Sequence, residues 1–278
     1  MKAAPFAYER PSSLEAAIAL MAEANGTAKI MAGGQSLGPM LNLRLVQPDL
    51  IIDISGLAEL KRAERDGDEL VIGACVTHAD IEDGRIPDVG RRVMQRVASN
   101  IAYRAVRNRG TIGGSLSHAD PAADWVSVLP ALGARVRLRG PVGPRDLPAE
   151  DFMTGALESA LQPHELVESV RVPVMCAPTR WGYAKACRKP GEFAHAIAAV
   201  RIDPEEASGR VVIGAIEAPP IVLRDASVLF GGRISGDFKR EFVAGEADTL
   251  LLKAGITDAA DRHIHVAILR RAIEEAAS

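Results

Sequence analysis

Two widely separated segments of similar design constrain this chain more than any other feature. The first is Ala32-Gly33-Gly34-Gln35-Ser36-Leu37-Gly38; the second is Arg109-Gly110-Thr111-Ile112-Gly113-Gly114-Ser115. Each follows a strand-like run and enters a turn where glycines tolerate unusual backbone angles, so another backbone or a ligand can come close. Adjacent glycine N–H groups form an anion-binding concavity, and the hydroxyls of Ser36, Thr111 and Ser115 add donors. A helix beginning near Ser36 would turn its positive end toward the same anion. A lone Gly-Gly pair marks only a tight turn. Two of them brought together supply the converging donors and the small bulk that a nucleotide pyrophosphate needs. Neither segment has the form Gly-x-Gly-x-x-Gly or Gly-x-x-x-x-Gly-Lys-Ser/Thr, so dinucleotide-fold and P-loop readings lack their fingerprints.

The surrounding pattern mixes helices and strands without strict alternation, which makes the class α+β. Ser12 and Glu15 have the spacing of a capping box, and Leu14, Ile18 and Met21 follow at helical spacing until Gly26. Strands are predicted at 27–31 and 50–54, and a hairpin at 62–72 around Asp66-Gly67-Asp68. Helices are predicted to begin at 77–80 and to run over 87–98 and 121–132, the last with Pro121 in its first turn. Strands at 135–139 and 166–172 flank the breaks Gly140-Pro141 and Gly143-Pro144. The stretch 175–179, with Pro178, is the expected boundary between a first domain, 1–175 (lobes about 1–55 and 56–175), and a second, 176–278. The second domain reads as three strands in meander order, 180–185, 194–202 and 210–217, followed by an amphipathic helix over 259–276.

Composition removes several classes of function. With 33 basic and 36 acidic residues the net charge is −3, which offers no basic footprint for nucleic acid or an anionic membrane. Aromatic residues are 4%, too few for base-stacking platforms. Cys75, Cys176 and Cys187 are far apart and form no Cys-x-x-Cys pair, so a disulfide framework, a zinc site and an iron–sulfur cluster are not expected in this chain. His263 and His265, two apart, lack metal-ligand spacing on a helix and are read as structural. No apolar run approaches the length of a membrane span, and residues 1–10 lack the apolar core of a secretory signal; a cytoplasmic protein is expected.

Taken in order, residues 29–53, 107–134 and 166–173, with Lys185, Arg188 and Phe193-Ala194, resemble the flavoprotein subunits of the xanthine dehydrogenase and carbon monoxide dehydrogenase family. The second block carries Thr111-Ile112-Gly113-Gly114-Ser115-Leu116, then Asp120-Pro121-Ala122-Ala123-Asp124 and Leu129-Pro130-Ala131-Leu132-Gly133-Ala134. The resemblance spans essentially the whole chain. It implies a two-lobed FAD domain of the type shared with vanillyl-alcohol oxidase and p-cresol methylhydroxylase, followed by a small α+β domain with a three-stranded antiparallel sheet and helices.

Carried onto this sequence, the resemblance makes Ala32, Gly33, Gly34, Gln35, Ser36 and Leu37 the first pyrophosphate loop, and Thr111, Gly113, Gly114 and Ser115 the second. Ser115 stands where the motif usually has Asn or Asp, a donor of shorter reach. Ile101 stands where some members set an aromatic against the adenine. Asp124, Val167 and Lys185 fall near the isoalloxazine. His118 either lines the flavin or is a loop histidine bonded to backbone. Asp120 either lines the flavin or caps the following helix. Apart from the resemblance, Asp124 would be a first-turn carboxylate favoured by the helix dipole and Lys185 a solvated charge. Arg107 and Arg109 either stabilise the loop or meet a partner subunit.

The resemblance implies an oxidoreductase subunit without substrate catalytic residues or metal ligands of its own. Electrons would come from [2Fe–2S] clusters on a small subunit, fed by a molybdenum cofactor on a large subunit, and leave through FAD to an external acceptor. A dimer of heterotrimers is expected. Two rival readings are a self-contained small flavin oxidoreductase and an assembly subunit that has lost its flavin. The short chain speaks against the first, and the intact glycine loops against the second.

Overall fold

The computed structural model describes residues 2–24 and 26–278, and strands and helices are mixed along all of it, as the α+β class requires. Three larger sheets follow one another in sequence. The first holds β1 (Ala7–Glu9), β2 (Ala28–Met31) and β3 (Leu50–Asp53), all parallel with β3 in the middle. Parallel neighbours need crossovers, here α1 (Leu14–Glu23) and α2 (Leu37–Asn42). Leu14, Ala17, Ile18 and Met21 of α1 bury themselves against Ile52 and Ile54. The capping box expected from Ser12 and Glu15 is not the one formed. Ser13 is the N-cap and accepts from the Ala16 N–H at 3.1 Å, while Glu59 accepts the Leu14 N–H at 2.7 Å. A carboxylate distant in sequence has taken the local one's place.

The second sheet is antiparallel, in the order β4 (Ala63–Asp66), β5 (Glu69–Gly73), β10 (Leu166–Pro173), β6 (Arg135–Gly140), β7 (Gly143–Pro148). The two glycine-proline breaks are the turn of a hairpin, Gly140 pairing with Gly143. A small hairpin, β8 (Met153–Gly155) and β9 (Glu158–Ser159), follows it. Five helices bridge β5 and β6: α3 (His78–Glu82), α4 (Val93–Ser99), α5 (Arg104–Arg107), α6 (Ile112–His118) and α7 (Asp124–Leu132). The helix expected over 87–98 starts only at Val93, because Gly90, Arg91 and Arg92 all take positive φ. The helix expected over 121–132 starts at Asp124. Pro121 lies in a turn closed by the Asp120 carboxylate, which accepts the Ala122 N–H at 2.8 Å.

The last sheet has four strands rather than the three expected: β11 (Arg180–Ala186), β12 (Ala196–Asp203), β13 (Ser208–Gly214) and β14 (Ile221–Leu223), antiparallel in that order. The third expected strand stops at Gly214 because Ala215 turns to φ 59°, and three residues after Pro219-Pro220 are too short a run to announce a strand. The sheet is covered on both sides. Ala196, Ala198, Val200 and Ile202 join the core with α10 (Ala259–Ala276), while Ile197 and Ala199 join the core that contains α7. Burial on both faces explains the near-continuous apolar run of β12. Helices α8 (Phe238–Glu241) and α9 (Ala244–Lys253) complete the core that contains α10, and His265 on α10 is buried with Nδ1 2.9 Å from the Asp261 carbonyl. Among the described residues no helix is long and apolar enough to cross a membrane.

The close seating of α10 on β11 depends on one strand glycine. A Cβ on Gly182 would lie 1.8 Å from the Ala272 carbonyl oxygen. Gly182→Ala is therefore expected to lower stability by about 1–3 kcal/mol, the usual cost of overpacking, read as a lowered urea midpoint. Gly245→Ala, on α9 with no atom within 4 Å of the new methyl, is expected to leave the midpoint unchanged or raised.

Candidate functional site

The two glycine segments meet. A Cβ on Gly33 would lie 2.0 Å from the Arg109 carbonyl oxygen and 2.9 Å from the Gly110 Cα, so the first loop lies directly against the second. Gly113 has a similar reason, since its Cβ would fall 2.5 Å from that of Ala74. At Gly33 and Gly113, then, glycine admits another backbone. Gly34 is different: its φ is +69° and only the Met31 thioether comes within 4 Å of a Cβ. There the turn itself demands glycine.

The loops are not alike in what they leave unpaired. In the first, among the described residues, no protein acceptor meets the backbone N–H of any residue from Ala32 through Leu37; bonding resumes with the Gly38 N–H, which donates to the Gly34 carbonyl at 2.9 Å. The second is not a strand-to-turn loop but the start of α6. The Gly113 N–H donates to Ala74 O at 3.0 Å, the Gly114 N–H to Thr111 Oγ1 at 3.1 Å and the Ser115 N–H to Thr111 O at 3.0 Å. An antiparallel bridge between Thr77 and Thr111 stitches this turn to the start of α3.

Both loops border one cleft of about 750 Å³, and all sixteen residues singled out from the sequence line it. Ala32, Gly33, Gly34, Gln35, Ser36 and Leu37 form one wall, with Thr111, Gly113, Gly114 and Ser115 beside them. Ile101 packs partly buried at the cleft, and Val167 is buried beside a register shift in β10. His118 ends α6 half-buried, and no described residue bonds its ring; Asp120 closes the turn before α7. Asp124 and Lys185 form a buried ion pair at 3.0 Å. Lys185 Nζ also donates to the Asn100 carbonyl at 2.7 Å, and the Tyr183 hydroxyl donates to Asp124. Burial pushes the Asp124 carboxyl above its ordinary range against the opposing pull of Lys185, and burial beside Asp124 pushes the Tyr183 phenol well up. Lys185 is thus no solvated strand lysine.

Arg107 belongs to the framework: it is buried, paired with Glu82 at 2.8 Å, and donates to the carbonyls of Ile101 and Ala102 at 2.9 Å each. His78, which the sequence did not single out, lies buried under the second loop and lines the cleft. Its Nδ1 accepts the Trp125 indole N–H at 3.2 Å, so the ring proton sits on Nε2. The Thr77–Thr111 bridge and the bond from the His78 N–H to the Gly110 carbonyl at 2.9 Å bring His78 to this place, and nothing local in the sequence signals it.

FAD fits what is present. A row of unpaired N–H groups suits a pyrophosphate, the turn at Gly34 carries no side chain, and a buried charged pair stands farther along the cleft. A family profile described as the FAD binding domain in molybdopterin dehydrogenase matches residues 4–175. The chain is 35% identical over 253 residues to the carbon monoxide dehydrogenase medium chain of Hydrogenophaga pseudoflava, covering 88% of this chain and 86% of that one. It is 34% identical over 284 residues to the nicotine 6-hydroxylase medium subunit of Paenarthrobacter nicotinovorans, covering 99% of each. The solved carbon monoxide dehydrogenase of Hydrogenophaga pseudoflava that lacks the Mo-pyranopterin moiety matches with a TM-score of 0.88 at 30% identity over 99% of this chain and 98% of the other. This chain belongs to the FAD-binding medium subunits of the molybdopterin-dependent dehydrogenases and hydroxylases, and as such is part of an oxidoreductase.

Burial and the nearby Arg107 charge push the His78 imidazole down to about 4 from an ordinary 6.5. A histidine depressed on folding is protonated first in the unfolded chain. Its neutral form therefore contributes fully to stability above pH 6.5, and that contribution is lost as pH falls from 6.5 to about 4. The expected loss is about 3 kcal/mol across that window. Urea unfolding at stepped pH should show this extra slope, and His78→Gln should abolish it whatever that variant's absolute stability.

Proposed function

We propose that this chain holds FAD in the cleft between the two glycine loops and passes electrons from the iron–sulfur clusters of a partner subunit to an external acceptor. The observation that carries this reading is the run of unpaired N–H groups from Ala32 to Leu37, held by Gly33 against the second loop. In this reading those N–H groups take the pyrophosphate, with the Ser36, Thr111 and Ser115 hydroxyls as further donors and Gln35 at the mouth. Gly113 and Gly114 keep the start of α6 low enough for the cofactor to pass. Ile101 meets the adenine with aliphatic surface only. Val167, Asp124 and Lys185 surround the isoalloxazine, with His118 and Asp120 alongside. Bound there, a flavin supplies the exchange between one-electron clusters and a two-electron acceptor. The chain's own residues bind and orient it, and the Asp124–Lys185 pair sets a fixed local field. No substrate base is needed, because substrate is hydroxylated elsewhere in the complex.

The reading extends to partners. A small subunit with two [2Fe–2S] clusters and a large subunit with the molybdenum cofactor are expected, doubled by symmetry and located in the cytoplasm. Residues 1–175 act as the flavin domain and 176–278 as the smaller second domain. Support comes from the medium chains and subunits of carbon monoxide dehydrogenase and nicotine 6-hydroxylase to which this chain is similar.

Two experiments test the reading. FAD should be released by acid denaturation, since binding is expected to be non-covalent. Gly33→Ala, which forces the loops apart, should weaken FAD by about tenfold or more, equivalent to about 1.4 kcal/mol, while Gly245→Ala binds normally. Full occupancy in Gly33→Ala would remove the loop assignment. The second experiment mixes substrate with the purified chain and with its complex. Bleaching of the flavin only in the complex is the expected result. Bleaching and turnover by the chain alone would make it a self-contained oxidoreductase, and a chain without flavin in either form would make it an assembly subunit.

A further inference from the structure

A second cavity, of about 500 Å³, adjoins the flavin cleft, and Ala102, Tyr103, Lys185 and Gly191 line both. Four cationic side chains line the second cavity, Arg96, Arg104, Arg107 and Lys185; among the described residues no carboxylate does. Such segregation is unexpected in a chain with nearly balanced charge. The acids stand behind their cations. Glu82 and Asp83 hold Arg104 at 2.6 and 2.7 Å, Glu82 holds Arg107, Glu275 holds Arg96, and Asp124 holds Lys185. Cations facing the cavity with acids behind give a positive field at the opening even where the local charges sum to zero.

The cations divide by role. Arg107 is buried and committed to Glu82 and two backbone carbonyls, so it is framework. Arg96 and Arg104 keep 52% and 45% of their side-chain surface open. Arg104 holds Glu82 and Asp83 through its two terminal nitrogens, and its remaining N–H groups, like those of Arg96, are left for an arriving anion. Tyr103 adds exposed aromatic surface. Gly191, at φ +89°, lets its loop lie against that ring, since a Cβ would fall 2.7 Å from the ring Cε1. Guanidinium groups beside an open aromatic ring suit a planar ligand with an anionic group.

We propose that the second cavity is a binding site for a small aromatic anion, a planar ring bearing a carboxylate or phosphate. The site is separate from the pyrophosphate loop. It is coupled to the flavin cleft through Lys185, whose Nζ touches both the Asn100 carbonyl beside the second cavity and Asp124 beside the first. The coupling rests on the flavin reading above; the binding does not.

The test is titration calorimetry on the full chain saturated with FAD, so that the pyrophosphate loop is already occupied, with salicylate, ADP and inorganic pyrophosphate as probes. One site per chain is expected for salicylate or ADP, weakening as salt rises. The double variant Arg96→Gln/Arg104→Gln should weaken it by about tenfold or more. Thermal unfolding and FAD content of that variant establish that its fold and first cleft are intact. Tighter salicylate identifies an aromatic carboxylate and tighter ADP a nucleoside phosphate; pyrophosphate binding as well as either would overturn the role of the ring. Absence of binding by all three probes, or binding unchanged in the double variant, would overturn the site. A flavin difference spectrum recorded during the titration reads the coupling, and a spectrum that stays fixed while the site fills would overturn it. If the chain takes up no FAD, the flavin reading fails separately, and ADP binding that still depends on Arg96 and Arg104 keeps this proposal standing.

Discussion

Helix α7 is the element on which the rest of the structure depends. Every residue from Asp124 to Leu132 is buried, so both ends of the helix must find partners inside the protein. At its C-terminal end the carbonyls of Pro130 and Leu132 accept from Arg210 at 2.7 Å and Arg201 at 3.0 Å, both reaching in from the last sheet. At its first turn Asp124 takes Lys185 and Tyr183, also from that sheet. Its flank supplies Trp125 to His78 and Ser127 to the surface left bare by Gly214. The last sheet and the cleft between the two glycine loops are therefore not independent. Polar requirements of one buried helix tie β11, β12 and β13 to the cleft.

The two glycine motifs look equivalent as sequence and are not equivalent as structure. Both were expected to offer N–H donors, yet the second uses most of its own to begin α6 and to hold residues 74–78. What remains to it is hydroxyl chemistry from Thr111 and Ser115 and a surface against which Gly33 can lie. The first loop keeps its donors because β2 is an edge strand, and among the described residues no further strand or acceptor takes up the N–H groups that follow it. Donor supply and donor positioning are thus divided between the loops, which explains why neither alone would make a convincing anion site.

Much of this was legible in the chain, and the exceptions share a cause. Strands at 27–31 and 50–54, the hairpin around Gly67 and the helix over 259–276 follow from local periodicity and turn chemistry, and the structure has them close to those bounds. All sixteen site residues fall on one cleft because the motifs that carried the family resemblance are the parts of the chain that face it. What was missed depends on distant partners. Glu59 displaces Glu15 from the α1 cap, the Asp120 turn delays α7 past Pro121, and β14 exists only because β13 offers an edge. His78 belongs with these, since its place depends on pairing with Thr111.

The Asp124–Lys185 pair shows why a buried charge can persist in a cleft of this kind. Desolvation of two charges is costly, and such a pair is weak evidence for stability. Here each partner is supported elsewhere, Asp124 by Tyr183 and Lys185 by the Asn100 carbonyl, so neither relies on the other alone. Removing either would strand a charge in low dielectric, which is far worse than never having buried the pair. The pair therefore has to be kept or lost together, and while kept it latches α7 to β11. It also fixes the sign of the field on each side. The carboxylate lines only the cleft between the glycine loops, while the ammonium lines both cavities. A single ion pair thus joins the packing of the last sheet to the charges that line two adjoining cavities.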